Sequence, residues 1–212
     1  MKITVFGATG QLGRECAVQC LDAGHEVVAF MRSPEKLPEE LRGRVTVVQG
    51  DGLVEGDVAR ALDGGVEAVL FAIGIDKHSP EDLCTDVTRH ILAAMPAAGV
   101  HRFVWCGGGS TLVPQDRVGL GAKFVEWFAS TFMSLRHRDK EHQLELLNQN
   151  LDRVWLGIRP LQMRKGPKKG DYRVGFDSFS GLSVIHFADC ADAMIKMLND
   201  DSWIHKAPIV QY

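Results

Sequence analysis

Residues 2–13 read Lys-Ile-Thr-Val-Phe-Gly-Ala-Thr-Gly-Gln-Leu-Gly, a short apolar run that passes into three glycines spaced three apart. Ile3, Val5 and Phe6 predict a buried strand. Residues 11–23, with Leu12, Cys16, Val18, Cys20 and Leu21, predict a helix that packs on a sheet. The turn between them is suited to a pyrophosphate. Gly7 can make the tight turn out of the strand, Gly10 leaves no Cβ between backbone and phosphate, and Gly13 lets the helix approach the strand. The free N–H groups and positive dipole end of the new helix point at the anion. The motif lies at the start of the chain, so no leader domain is expected before it.

Working outward, residues 25–31 predict a second strand that ends in Arg32. An acidic residue at this point would accept hydrogen bonds from a ribose diol, whereas this chain has Arg32-Ser33 and then Lys36. The expected cofactor is therefore NADP(H), with Arg32 on the 2′-phosphate. A charge-assisted hydrogen bond contributes roughly 1.5–3 kcal/mol, enough to shift cofactor preference about tenfold to a hundredfold.

A chain of 212 residues, 45% of them hydrophobic, can bury a full core as one domain, and no Pro-, Ser- or charge-rich linker divides it. A net charge of −3 argues against nucleic acid as a partner. No apolar run reaches the ~20 residues that span a bilayer, and the first residues lack the regions of a signal peptide, which predicts a cytoplasmic location with no membrane partner. The five cysteines, Cys16, Cys20, Cys84, Cys106 and Cys190, are scattered in apolar sequence and read as buried thiols. No zinc spacing follows Cys16 and Cys20, so no metal site is expected.

Strands are predicted over residues 45–49, 66–73 and 101–106, and residues 148–158 read as the end of a helix, a turn and a sixth strand. Helices are predicted around 56–62 and over 80–98 and 187–198. Short extended pieces are expected at 172–175, 182–185 and 209–211. Strands alternating with helices imply parallel pairing with right-handed crossovers. The expected fold is α/β, a doubly wound, mostly parallel sheet of Rossmann type, as a single domain with a small C-terminal extension on the substrate side. Ligands in such sheets lie beyond the carboxyl ends of the strands. The candidate residues are thus the glycine loop, Arg32, Asp51, Ala72, Ile73, Gly74, the stretch from Cys106 through Gly107, Gly108 and Gly109 to Ser110, and Arg159-Pro160. Asp51 reads either as an acceptor for the adenine amino group or as a residue of a Gly-Asp-Gly turn.

These motifs together resemble the atypical short-chain dehydrogenase/reductase superfamily, in particular small members similar to biliverdin reductase B, a flavin reductase, and to NmrA-like NAD(P)-binding proteins. The resemblance spans nearly the whole chain. It is carried by Gly7-Ala8-Thr9-Gly10-Gln11-Leu12-Gly13, Met31-Arg32-Ser33-Pro34-Glu35-Lys36-Leu37, Gly50-Asp51-Gly52, Lys140-Glu141-His142, Ile158-Arg159-Pro160 and the stretch from Ile185 to Ala191. It implies that Thr9, Gly10, Gln11 and Leu12 bind the pyrophosphate, Arg32 the 2′-phosphate and Asp51 the adenine. Ala72, Ile73 and Gly74 would lie beside the adenine ribose, and the loop after the fifth strand would face the nicotinamide. Typical members of the superfamily use a Tyr-x-x-x-Lys pair. Here the only tyrosines are Tyr172 and Tyr212, and neither has a lysine at that spacing. Relatives similar to biliverdin reductase B carry a Ser or Thr where this chain has Gly107-Gly108-Gly109, with Ser110 next.

Residues 111–138 form a helix-compatible segment rich in aromatics (Phe124, Trp127, Phe128, Phe132), suited to roofing an apolar pocket or to filling a core or subunit interface, with Gly119 and Gly121 as hinges. Proton donors come from Ser110, Lys140, His142, Arg159 and His186, of which Ser110 and His142 are the expected catalytic pair. The run 164–169 reads as a solvated loop or as a cationic approach to phosphate. The reaction implied is hydride transfer from NADPH to a conjugated, largely apolar small molecule such as a flavin, biliverdin or a quinone. The alternative is a non-catalytic NADP(H)-binding regulator of NmrA-like type. A monomer or weak homodimer is expected.

Overall fold

The computed structural model describes residues 1–117, 123, 127–128, 131–132, 134–177 and 183–212. Its strands are β1 (Lys2–Phe6), β2 (Glu26–Met31), β3 (Thr46–Gln49), β4 (Ala68–Phe71), β5 (Arg102–Cys106), β6 (Trp155–Pro160), β7 (Gln162–Arg164), β8 (Arg173–Gly175), β9 (Val184–His186) and β10 (Ile209–Gln211). Five α-helices lie among the described residues: α1 (Gln11–Asp22), α2 (Glu55–Leu62), α3 (Leu83–Ala98), α4 (Ser134–Asn148) and α5 (Phe187–Lys196).

Eight strands form one sheet in the order β3-β2-β1-β4-β5-β6-β10-β8, parallel throughout except for the β10–β8 pair at its edge. The central strands are buried on both faces, which is why they read as near-continuous apolar runs instead of alternating ones. One face, with Ile3, Val5, Ala29, Leu70, Val104 and Leu156, packs against α1 and α5. The other, with Phe6, Phe30, Phe71, Phe103, Trp105 and Trp155, packs under α2, α3 and α4. The chain leaves β1 toward β2 and β3 on one side and returns to β4 on the other. The strand order therefore reverses between β1 and β4, which are in register at Phe6 and Phe71.

The doubly wound expectation holds, with differences at the boundaries that have local causes. The helix expected from residue 80 starts at Leu83, because Asp76 accepts from the backbone of His78 and pairs with Ser79 in a turn. Asp82 then takes a left-handed φ of 54°. The start of α3 is capped from a distance: the buried Asp139 carboxylate on α4 accepts from the N–H groups of Cys84 (2.8 Å) and Thr85 (2.9 Å). Residues 111–117 are irregular instead of helical. Strand β7, which pairs in parallel with β9 in a separate two-stranded sheet, follows β6 so closely that no turn residue announces it. Leu112, Val113, Trp127, Phe128 and Phe132 are described, while Gly119, Leu120, Gly121, Phe124, Val125, Met133 and Leu182 lie outside the described residues. Among the described residues no helix is long and apolar enough to cross a membrane, and no group of three potential ligands is placed to hold a metal ion.

Candidate functional site

A cleft of about 380 Å³ opens where the strand order reverses. Gly7, Thr9, Gly10, Arg32, Asp51, Ala72, Ile73 and Gly74 line it, together with Phe30, Met31, Gly52, Ile75, Asp76, Leu83 and Val87. Gly7 has φ +90°, and a Cβ on it would lie 2.8 Å from the Ala72 carbonyl oxygen. A Cβ on Gly13 would lie 2.1 Å from the Gly7 carbonyl oxygen. These two positions bring β1, β4 and α1 into backbone contact at the head of the cleft, which only glycine permits. A Cβ on Gly10, in contrast, would meet only the Gly7 carbonyl oxygen, so this backbone is open on its other side.

Helix α1 begins beside Gly10 with no side-chain cap and no acidic residue in its first turn. Its first N–H groups lack intrahelical partners and its dipole end is positive, so this terminus suits an anion. Gln11 and Gly13 enter through that backbone, while the Leu12 side chain is buried in the core beneath. Arg32 is exposed at the end of β2, and its guanidinium has no partner among the described residues. Asp51 has two roles: one carboxylate oxygen accepts from Leu53 N–H at 3.0 Å in the local turn, and the residue also lines the cleft. The residues present fit a dinucleotide: a glycine cradle that any Cβ would fill, an uncapped helix N-terminus and an unpaired cation on the lip.

A second group of sequence-predicted residues lies at the end of the neighbouring strand β5. Cys106, Gly107 and Gly108 are outside the lining of the cleft. The half-buried Lys140 lies nearby, its Nζ standing 5.4 Å over the Phe71 ring and 6.0 Å from the Trp105 ring and donating to Gln143 Oε1. A Cβ on Gly108 would lie 3.8 Å from both Ser110 Oγ and Thr111 Oγ1 and 4.0 Å from Lys140 Cγ. Two hydroxyls and a lysine stem therefore border the space beside this glycine. The Thr111 hydroxyl is buried without a hydrogen-bond partner among the described residues. Burial pushes the Cys106 thiol up to about 12, although Lys140 pulls the other way. All five cysteines are buried and unpaired. The native protein is accordingly expected to resist a thiol reagent at neutral pH and to release five reactive thiols on unfolding, measurable by colorimetric titration; rapid native labelling of Cys106 would contradict this.

The other donors drawn from the sequence go elsewhere. The structure does not bring His142 to Ser110: its Nδ1 is 2.7 Å from Asp82 Oδ1, in a second, shallower depression with Arg89 and Glu145. Ser110 Oγ instead lies 3.2 Å from His137 Nδ1. Arg159 is fully buried and forms a two-point pair with Asp116, at 2.6 and 2.8 Å. It also donates to the carbonyl of Thr111, which ties the loop that carries both hydroxyls to β6. His186 Nδ1 faces the Pro167 carbonyl at 2.8 Å. In the basic run, Lys168 pairs with Asp192 at 2.6 Å and Lys169 stands 3.8 Å above the Tyr212 ring, so both cations are used in packing the C-terminal segment. The two tyrosines belong there too, Tyr172 donating to Asp192 and Tyr212 to Asp189. Burial works to raise Asp189, but the Tyr212 hydroxyl and the N–H groups of Gly170 and Lys169 hold it below the usual carboxylate range.

A family model described as NAD(P)H-binding matches residues 7–201 of this chain. The chain belongs to the NAD(P)H-binding family. Its cofactor is thus NAD(P)H. The chain is 26% identical over 207 residues to the uncharacterized protein YwnB of Bacillus subtilis, covering 93% of this chain and 92% of that one. Over 102 residues it is 41% identical to a (4-alkanoyl-5-oxo-2,5-dihydrofuran-3-yl)methyl phosphate reductase of Streptomyces griseus, a match that takes in 48% of this chain and 33% of the reductase. The crystal structure of a Burkholderia pseudomallei protein superposes over 100% of both chains with a TM-score of 0.82 at 26% identity. This NAD(P)H-binding chain also has site residues that the strand-end rule missed. Phe30, Ile75, Leu83 and Val87 form an apolar wall, foreshadowed only by their closeness to strand and helix ends, and His137 carried no local signal of its contact with Ser110.

Proposed function

We propose that the protein is an NADPH-dependent oxidoreductase that reduces a conjugated, largely apolar small molecule. The observation that carries this reading is the pairing of two half-sites. One is an anion cradle with Arg32, unpaired among the described residues, on its lip; the other is a pair of hydroxyls, those of Ser110 and Thr111, at the end of the next strand. The reductase name of the Streptomyces griseus relative supports hydride chemistry in this family. When bound, the nicotinamide supplies the hydride, and the protein supplies binding, orientation and a proton. The first turn of α1 would hold the pyrophosphate and Arg32 the 2′-phosphate. Asp51 would accept from the adenine amino group through the carboxylate oxygen not used in its turn. Ser110 would polarise the group that receives negative charge, with the Thr111 hydroxyl available beside it.

Titration with NADPH and NADH, followed by nicotinamide absorbance with FMN, biliverdin and a quinone panel, tests this. Binding with turnover supports the oxidoreductase. Binding without turnover across the panel favours a non-catalytic sensor, and no binding overturns the reading. Arg32→Ala is expected to weaken NADPH tenfold to a hundredfold and leave NADH unchanged, the loss of roughly 1.5–3 kcal/mol from one charge-assisted contact. Equal losses for both cofactors would remove Arg32 as the selector.

A further inference from the structure

Ser110 ends a hydrogen-bonded chain that runs from the site to the surface. Its Oγ lies 3.2 Å from His137 Nδ1, and the other ring nitrogen, Nε2, lies 3.2 Å from Glu141 Oε1 one turn along α4. The His137 side chain is 6% exposed, whereas that of Glu141 is 47% exposed. His186 and His205 each rest a ring nitrogen on a backbone carbonyl, of Pro167 and Arg153 respectively. A carbonyl can fix a ring but cannot exchange a proton with it. His137 differs from them, because both of its nitrogens face groups that can: a hydroxyl on the site side and a carboxylate on the solvent side.

We propose that Ser110, His137 and Glu141 form a proton-delivery chain for the reduction, with Ser110 as the donor to the acceptor and His137 and Glu141 as the positioning residues behind it. The proposal rests on the oxidoreductase reading. Hydride addition brings both electrons to one atom of a conjugated double bond and leaves the negative charge on the atom at its far end. That atom takes the Ser110 hydroxyl proton as the O–H bond breaks. Ser110 Oγ takes the His137 Nδ1 proton in turn. The ring begins with a proton on each nitrogen, Nε2–H held by the Glu141 carboxylate, and ends neutral; solvent restores its proton after product leaves. The carboxylate stabilises the charged ring and fixes its orientation, the work a third group does in hydroxyl–imidazole–carboxylate arrangements.

The test combines two readouts. Ser110→Ala and His137→Gln are each expected to lower kcat by about 10²-fold or more, within the range for general acid help, while the dissociation constant of NADPH stays within about twofold. The double variant is expected to be no worse than the poorer single, because residues of one chain act as a unit. Without cofactor or acceptor, the ring signals of His137 in nitrogen-15 NMR are expected to move in both Ser110→Ala and Glu141→Gln. Ser110→Ala removes a single atom and keeps the test sound if His137→Gln does not fold. Wild-type kcat in His137→Gln, or in Ser110→Ala, overturns the chain and leaves the oxidoreductase standing. Losses that multiply in the double variant, or His137 signals that ignore both neighbours, overturn it too. Cofactor binding without turnover by the wild type overturns the oxidoreductase reading and proton delivery together.

Discussion

Gly13→Ala is expected to lose NADPH binding by tenfold or more and to unfold at a lower temperature than the wild type, by a margin of about 1–3 kcal/mol or more. The added methyl would sit 2.1 Å from the Gly7 carbonyl oxygen, 2.6 Å from its carbon and 2.9 Å from Ala8 N. All three contacts are backbone, so no side chain can swing aside. Relief requires α1 to move off β1, which carries the uncapped N–H groups away from where the pyrophosphate would lie and loosens Leu12, Cys16 and Cys20 in the core. Gly56→Ala is the control. Gly56 lies in α2 with open space where its Cβ would go, and alanine there is expected to stabilise by up to about 1 kcal/mol through helix propensity. NADPH titration and thermal melts of the two variants check the pair, and a Gly13→Ala protein that binds and melts like wild type would remove close helix packing from the account of the cradle.

The cradle was legible because it is local. A strand, a turn and a helix N-terminus occupy consecutive residues, and the physical demands on Gly7, Gly10 and Gly13 act within that stretch. That Arg32, Asp51 and Ala72 to Gly74 line the cleft was legible for a related reason: in a parallel sheet, strand ends converge on one edge, so finding the strands finds the cleft between them. The choice between His137 and His142 was not legible, because it depends on how α4 is rotated about its axis. Residues 137, 144 and 147 are spaced seven and three apart and lie on one side of the helix, and the buried arc continues through Gln143 as far as Asp139. His142 stands two residues from Leu144, nearly on the opposite side. Few residues of α4 are apolar, and two of its most buried positions are polar: Asp139 caps α3, and Gln143 donates to Thr88 Oγ1. The rotation is thus set by hydrogen bonds to a helix some fifty residues away in sequence. A hydrophobic pattern does not record such partners. The Asp116–Arg159 pair was hidden in the same way, with Asp116 standing in a segment whose composition suggested a helix.

That pair leads to the largest expected change in stability. Asp116→Ala should destabilise the fold by about 3–5 kcal/mol, because it leaves a guanidinium buried without its counter-charge. Neither side chain has a solvent alternative: Arg159 is 0% and Asp116 2% exposed. The remaining partners of Arg159 are the carbonyls of Ala207 and Thr111, which can accept its N–H groups but cannot neutralise it. For a chain of this length, 1 kcal/mol corresponds to about 2–4 °C in Tm, so the variant should melt roughly 6–20 °C below wild type. Replacing both partners, Arg159→Met with Asp116→Leu, should recover much of that loss, since an apolar pair of similar volume removes the need to bury charge. The double variant should nevertheless remain a poorer catalyst, because Arg159 also holds the Thr111 carbonyl, and with it the loop that places the two hydroxyls. A melt of Asp116→Ala within 2 °C of wild type would mean that water reaches the guanidinium. A double variant with both stability and kcat restored would show that the loop keeps its shape without the clamp, and that the buried pair serves the fold alone.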